Sequence, residues 1–162
     1  MQIRDIIQEK GAGAVTVSAG QTIHDAINSL NKNRIGALIV TGDDQEVVGI
    51  ITERDILRVC GDAFERLNKS ATQGETNYPS LVQDVMTKDV VIGVPDDDLN
   101  YVMGIMTKNH IRHLPVLDEG RLVGIISIGD LVNAHFEEKV FENRTLREYI
   151  HGTTRQLGPQ DL

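Results

Sequence analysis

The chain has 162 residues, of which 40% are hydrophobic and 25% charged, so its composition suits one globular domain or two small halves that share a core. Its formal net charge of -8, without a basic stripe, argues against nucleic-acid binding, and the single cysteine, Cys60, excludes an internal disulfide. No apolar run approaches the ~18 residues of a membrane span, and the charges throughout residues 1–10 are not typical of a signal peptide. We therefore expect a cytoplasmic protein that binds neither nucleic acid nor membrane.

The first half of the chain predicts a strand, a helix, two further strands and a second helix. A β-rich run at residues 15–17 precedes a helix capped by Thr22, whose apolar residues recur at helical spacing. Residues 37–40 and 47–51 are then expected to be strands, because an acidic, glycine-containing turn between them is typical of a hairpin. The second helix is expected to begin near Asp55.

The second half predicts the same elements in the same order. An opening strand is expected at residues 90–92, followed by a helix capped by Asp98. Residues 114–117 and 122–126 predict a second hairpin. A long helical pattern begins near Asp130 and continues toward the end of the chain.

The two halves are copies of one unit. Residues 15–41 align with 91–117, and after one extra residue in the first turn, residues 46–57 align with 121–132. The sheet of each unit has an apolar face that is too small to be stable alone. We therefore expect the two units to pack sheet to sheet around a shared aliphatic core.

Two similar heptapeptides lie where the last strand of each unit meets its second helix. Residues 49–55 read GIITERD and residues 124–130 read GIISIGD, and both resemble the Gly-hydrophobic-x-Ser/Thr-x-x-Asp signature of cystathionine-β-synthase (CBS) repeats. Residues 111–116 (IRHLPV) resemble the segment before the hairpin in that family, and residues 84–87 (DVMT) resemble its usual lead-in. Over about residues 3–149 the chain is similar to stand-alone bacterial proteins that consist of a CBS pair.

The resemblance implies an α+β fold in which two CBS repeats, each strand–helix–strand–strand–helix, pack sheet to sheet as a pseudo-two-fold disc. Residues 1–60 are then the first repeat, 61–80 a polar linker with room for a helical turn, 81–140 the second repeat, and 141–162 a C-terminal helix and tail. Such discs commonly pair, so a homodimer that acts on an unknown effector protein is expected. Their clefts frequently hold AMP, ADP, ATP, S-adenosylmethionine or a dinucleotide such as NAD(H).

Two aspartates, Asp55 and Asp130, have the chemistry of a ribose site. A carboxylate accepts hydrogen bonds from two vicinal hydroxyls, and the start of a helix presents free backbone N–H groups. Thr52 and Ser127, three residues earlier, each add a hydroxyl. The same Ser/Thr-x-x-Asp spacing also describes helix capping, and capping and ligand binding are compatible.

The copies differ where the family resemblance places phosphate contacts. Arg112 and His113 replace Gly36 and Ala37 of the first copy, whereas Arg54 is a glycine in the second. Two non-equivalent sites are therefore expected, with phosphate contacts shared across the repeat interface. A surface ion pair for Arg112, a hydrogen bond at the core edge for His113 and an exposed first turn for Arg54 are the alternatives. The predicted ligand-binding residues are Thr16, Ile35, Gly36, Ala37, Thr52, Arg54, Asp55, Ile92, Ile111, Arg112, His113, Ser127 and Asp130.

No other motif indicates catalysis or a metal. Residues 96–98 are three aspartates without the spacing of a calcium loop, and the histidines form no zinc motif. We predict a non-enzymatic regulatory module that senses energy or redox state by binding an adenine nucleotide between its repeats. The alternative is a ligand-independent interaction or dimerisation module with vestigial clefts, which acts through its C-terminal helix.

Overall fold

The computed structural model describes residues 1–11, 13–69 and 80–152. Five helices are present in this part of the chain: α1 (Ile3–Lys10), α2 (Ile23–Asn33), α3 (Glu53–Lys69), α4 (Leu99–Lys108) and α5 (Ile128–Gly152). The strands here are β1 (Thr16–Ser18), β2 (Ala37–Thr41), β3 (Val47–Thr52), β4 (His113–Asp118) and β5 (Arg121–Ser127), and a 3-10 turn covers Val82–Asp84. The predicted mixture of helices and small sheets is confirmed.

Each repeat is built on one hairpin. In the first repeat β2 pairs antiparallel with β3 and parallel with β1, and in the second β4 pairs antiparallel with β5. The predicted opening strand at residues 90–92 is wrong, because these residues form no strand, and a single parallel bridge, between Gly93 and Val116, follows them. Pro115 explains the difference. It aligns with Ile39, whose N–H donates to the carbonyl of Val15, and proline has no N–H to donate.

Helix α1, which the sequence analysis did not predict, packs against the second repeat. Its apolar residues Ile3, Ile6 and Ile7 are buried among residues of α4, β4, β5 and α5. The N–H of Ile3 donates to the carbonyl of Asp97 at 3.0 Å, just before α4 begins. The amino-terminal segment therefore completes the core of the repeat that follows later in the chain.

The lead-in to the second repeat makes the reciprocal contact. Val82 is fully buried in the core of the first repeat, with Val85 and Met86 packed against it. The N–H of Val82 donates to the carbonyl of Gln21 at 2.9 Å, just before α2 begins. The two repeats thus exchange their lead-in segments, and each core includes a piece of the other half of the chain.

A third apolar cluster lies between the two sheets. Ala37, Ile39 and Ile50 of the first repeat are buried there, and partly buried Leu122 and Ile125 of the second repeat pack against them. This arrangement agrees with the expected sheet-to-sheet packing, and it leaves a cleft on each side of the interface.

The polar stretch predicted as a linker is partly helical. Helix α3 continues to Lys69, well beyond residue 60, where the first repeat was expected to end. Residues 70–79 of the predicted linker and the predicted tail at 153–162 lie outside the described residues. Because its hydrophobic residues recur at helical spacing, α3 can continue through a composition that looks like a linker.

Candidate functional site

Both signature aspartates form capping boxes at the start of a helix. At α3, the backbone N–H and the Oγ1 hydroxyl of Thr52 donate to Oδ2 of Asp55 at 2.9 and 2.7 Å. At α5, the corresponding groups of Ser127 donate to Oδ2 of Asp130, both at 2.7 Å. The capping interpretation of the motif is therefore correct. It does not exclude a ligand, because the Ser and Thr contacts use only one carboxylate oxygen.

The first cleft, called the Asp55 cleft below, joins the signature of the first repeat to the segment before the hairpin of the second. It encloses about 280 Å³, near the lower end of ligand pockets at ~300–1,000 Å³. Its lining residues are Gly36, Ile50, Thr52, Glu53, Arg54, Asp55, Arg58, Thr87, Asn109, His110, Ile111, Arg112 and His113. Seven of the predicted ligand-binding residues, from both halves of the chain, line this one cavity.

The second cleft, called the Ser127 cleft, joins the signature of the second repeat to the segment before the hairpin of the first. It encloses about 400 Å³. Its lining residues are Lys10, Gly11, Gly13, Ala14, Val15, Arg34, Ile35, Gly36, Ala37, His113, Ile125 and Ser127. The two clefts are thus related by the internal repeat, and each contains residues of both copies.

Each aspartate also has a cationic partner, and the two partners differ. Arg58, one turn further along α3, donates to Oδ1 of Asp55 at 2.8 Å. The Asp55 side chain is only 6% exposed, whereas that of Arg58 is 65% exposed. The carboxylate of this pair is therefore buried, whereas the guanidinium is open to solvent.

Asp130 is held from another element of the fold. The Nζ of Lys10, at the end of α1, donates to Oδ2 of Asp130 at 2.7 Å and to the carbonyl of Ile125 at 3.2 Å. Burial alone would raise the pKa of Asp130, but hydrogen bonds from Lys10 and Ser127 outweigh burial and lower it. The contact with Lys10 therefore favours the ionised form of Asp130.

His113 lies where the two clefts meet and lines both of them. Burial, followed by the nearby charge of Arg112, lowers the pKa of the imidazole and so favours its neutral form. A Cβ placed on Gly36 would lie 3.2 Å from Cε1 of His113 and 3.4 Å from Oε2 of Glu53. The missing side chain at Gly36 is what makes room for the imidazole between the clefts.

Two of the predicted wall residues lie elsewhere. Thr16 is exposed on β1 and Ile92 is exposed near the bridge at Gly93, and neither lines either cleft. Ala14 and Val15, just before β1, contribute to the Ser127 cleft instead. All the other predicted residues line one of the two clefts except Asp130, which lines a separate pocket with Lys10, a residue that also lines the Ser127 cleft.

Several cleft residues were missed by sequence reasoning. Arg34 and His110 carried a signal, because both have nitrogen-containing side chains and they align in the repeat. In the structure both have a positive φ of 54°. Arg58 lies one helical turn beyond Asp55, so it could also have been predicted from the sequence. Lys10 gave no signal, because it precedes the aligned part of the repeat.

Among residues 1–11, 13–69 and 80–152 no group of three or more His, Cys, Asp or Glu side chains is placed to hold a metal ion. No helix in those ranges combines the length and apolar character needed to cross a bilayer.

The repeat architecture agrees with the comparison to known proteins. The sequence profile of the CBS domain matches residues 3–62 and 82–137. The chain belongs to the CBS-domain family. The CBS domain-containing protein CBSX3, mitochondrial, of Arabidopsis thaliana is 34% identical over 158 residues, covering 93% of this chain and 72% of the relative. The crystal structure of the CBS-domain containing protein ATU1752 from Agrobacterium tumefaciens is 37% identical, with a TM-score of 0.71 over 83% of this chain and 92% of that one.

More distant CBS structures share the fold and contain adenosine compounds. The CBS domain protein PAE2072 from Pyrobaculum aerophilum, complexed with AMP, is 22% identical, with a TM-score of 0.66 over 80% of this chain and 89% of that one. The CBS domain pair of protein MJ0100, in complex with 5-methylthioadenosine and S-adenosyl-L-methionine, is 23% identical, with a TM-score of 0.67 over 85% and 98% of the two chains.

Proposed function

We propose that this CBS pair is a regulatory module that binds an adenosine phosphate, of the AMP, ADP, ATP or NAD(H) class, in the Asp55 cleft. One observation carries the proposal. The ribose-type anchor of the first repeat, Thr52 with Asp55, opens into the same cavity as Arg112 and His113 of the second repeat. A ligand that spans the cavity would contact both repeats at once, which is the geometry required for binding to alter how they pack.

The charges in the Asp55 cleft favour an anionic ligand. Three arginines, Arg54, Arg58 and Arg112, and two acidic residues, Glu53 and Asp55, line the cleft. The cleft is therefore net positive in a chain of formal charge -8. Such a local excess of positive charge attracts phosphate, and guanidinium groups bind phosphate oxygens in a bidentate manner.

The ribose and the base of the ligand would contact the remaining groups of the Asp55 cleft. A vicinal diol bound to Asp55 needs Oδ1 as well as Oδ2, so Arg58 has to release Oδ1. Its exposed guanidinium is then free to approach a phosphate. Ile50 and Ile111 provide an apolar wall for a flat base. The adenosine compounds in the distantly related CBS structures support this class of ligand.

Regulation follows if the ligand binds one arrangement of the repeats better than another. The cleft lies beside the sheet-to-sheet cluster, so a molecule bridging Asp55 and Arg112 would stabilise one packing of the two halves. No reaction is assigned to the module, and we expect it to act on a separate effector protein in the cytoplasm.

The test is a calorimetric titration with AMP, ADP, ATP, NAD and NADH of the natural protein, Asp55→Asn, Arg112→Gln and Asp25→Asn. Asp25 is the matched control, because it forms the same capping box with Thr22 at α2, away from both clefts. Asp55→Asn and Arg112→Gln are each expected to weaken binding at least tenfold, while Asp25→Asn leaves it unchanged. Equal affinity in all four proteins, or no heat with any nucleotide, would sink the proposal.

A second function, self-association, is favoured by the surface of α5. Phe136 and Phe141 are 68% and 71% exposed, and Val140 and Leu146 are exposed near them. Phe136 and Val140, four residues apart, lie on one face of the helix, and exposed apolar groups that lie together mark interaction surfaces. Sedimentation equilibrium of the full chain and of a chain truncated after Glu137 would test a homodimer. A dimer that is lost on truncation supports this function, and a monomer in both cases rejects it.

A further inference from the structure

The two lead-in segments begin alike and end differently. Ile3 and Val82 are both fully buried, and the residues before them, Gln2 and Leu81, form equivalent antiparallel bridges beside the caps of α4 and α2. After this common start, the second lead-in is helical only over the 3-10 turn Val82–Asp84. The first continues as α1 to Lys10. An extra helical turn therefore exists on one side of the disc only.

This extra turn ends at the carboxylate of the second signature. Lys10 donates to Oδ2 of Asp130 at 2.7 Å and to the carbonyl of Ile125 at 3.2 Å, and its side chain lines the Ser127 cleft. At the other cleft, the described cation on Asp55 is Arg58, which belongs to the same helix as Asp55 and binds Oδ1. The second carboxylate is thus bound by a residue of another element, whereas the first is bound by a residue of its own helix.

We propose that Lys10 is a built-in competitor for ribose at Asp130, and that its removal tightens the binding of a ribose there. This inference rests on the proposed function, because it assumes that the signature carboxylates accept ribose hydroxyls. Lys10 is a specificity-determining residue in this account. A nucleotide reaches Asp130 only after the ammonium has left it.

The contacts at Oδ2 explain the competition. Oδ2 of Asp130 accepts the N–H and hydroxyl of Ser127 and the ammonium of Lys10, so it has no capacity for a ribose hydroxyl. A vicinal diol needs both carboxylate oxygens, and the second hydroxyl therefore displaces Lys10. The ion pair is partly exposed, with side chains 42% and 23% accessible, so its removal is expected to tighten ribose binding about twofold to fivefold.

If Lys10 instead assists nucleotide binding, its removal should change the affinity in the opposite direction. If the ammonium moved to a ligand phosphate, its loss would weaken nucleotide binding. Adenosine separates the two cases, because it has the ribose and base but no phosphate. The probe in the decisive titration is therefore adenosine, with AMP as the comparison.

The experiment follows the Ser127 amide by ¹⁵N NMR during an adenosine titration. Asp55→Asn serves as the background, because it disables the other cleft. On it we compare Lys10→Met, Lys10→Arg and the control Lys32→Met, which removes a lysine from the last turn of α2, outside both clefts. The Thr52 amide of the natural protein, titrated with AMP, reports separately on the proposed function.

The expected result is a dissociation constant at Ser127 that Lys10→Met lowers about twofold to fivefold. Lys10→Arg and Lys32→Met should leave it unchanged. The inference is overturned if Lys10→Met weakens adenosine binding or leaves it unchanged. It is also overturned if the Ser127 amide of Lys10→Met does not shift with adenosine. A Thr52 amide that does not respond to AMP overturns the proposed function alone, since the Lys10 effect is measured at a different cleft.

Discussion

Ile39 and Pro115 occupy the same position in the two repeats, yet only Ile39 donates a hydrogen bond to an opening strand, at 3.2 Å to the carbonyl of Val15. In the second repeat the equivalent carbonyl belongs to Val91, and the pairing starts only at Gly93. One missing N–H therefore accounts for a three-residue strand in one copy and a single bridge in the other.

Replacing the proline should lengthen the strand. With Pro115→Val, the new N–H is expected to bond to Val91, and the amides of Gly93 and Leu117, which already pair across this edge, should exchange more slowly. Hydrogen exchange followed by NMR checks the result. Unchanged protection at both amides would show that something other than the missing donor ends the strand.

The opening strand illustrates what a sequence pattern could predict. Both hairpins and both signature helices were predicted, because each depends on residues close together in the chain. Residues 90–92 have the same β-rich composition as the first opening strand, but the donor they need is a residue on β4. The prediction failed at a contact between elements, where composition carries no information.

Helix α1 was missed for a related reason. Its apolar residues, Ile3, Ile6 and Ile7, have helical spacing, but eight residues are too few for a helix that is stable alone. It forms against the second repeat, which lies far along the chain. The same limit concealed Lys10, the residue that most distinguishes the two clefts.

The exchanged lead-ins should make the two repeats unfold together. Ile3→Ala and Val82→Ala each remove a fully buried side chain and are expected to cost about 2–4 kcal/mol. Because each residue completes the core of the other half, either change should lower a single transition in urea rather than split it. Two transitions in either variant would mean that the repeats are independent.

Two threonines allow the capping role of the motif to be distinguished from a role in ligand binding. Thr22 and Thr52 cap α2 and α3 through the same contact to an aspartate, but only Thr52 lines a cleft. Thr22→Ala and Thr52→Ala should each destabilise the fold by about 1 kcal/mol. Only Thr52→Ala should also weaken AMP binding, and calorimetry compares the two. Equal effects on AMP would remove the special role of the first signature.

A methyl group at Gly36 should act on both clefts at once. Gly36→Ala places a carbon 3.2 Å from Cε1 of His113, so the imidazole has to shift by a few tenths of an ångström. We expect nucleotide binding to weaken severalfold, while the free energy of unfolding changes by less than about 1 kcal/mol, because the imidazole is only partly buried. Binding that is unchanged would show that the position of His113 does not matter to the ligand.

The ion pair at Asp130 predicts an acid-dependent contribution to stability. The folded pKa of Asp130 is below its ordinary value, so the unfolded chain binds more protons there. The contribution is present above pH ~4 and is lost as pH falls below that value. Urea unfolding at pH 5 and pH 3 should therefore show a deficit of Asp130→Asn relative to the natural protein that shrinks at pH 3. A deficit of equal size at both values would contradict the lowered pKa.

The central claim is that one nucleotide contacts both repeats in the Asp55 cleft. The most direct test is an NMR titration of the natural protein with AMP that follows the Thr52 amide, the His113 imidazole and, as a control, the Thr22 amide. The account predicts that Thr52 and His113 shift with the same dissociation constant while Thr22 does not respond. A shift confined to one repeat, or none at all, would contradict it.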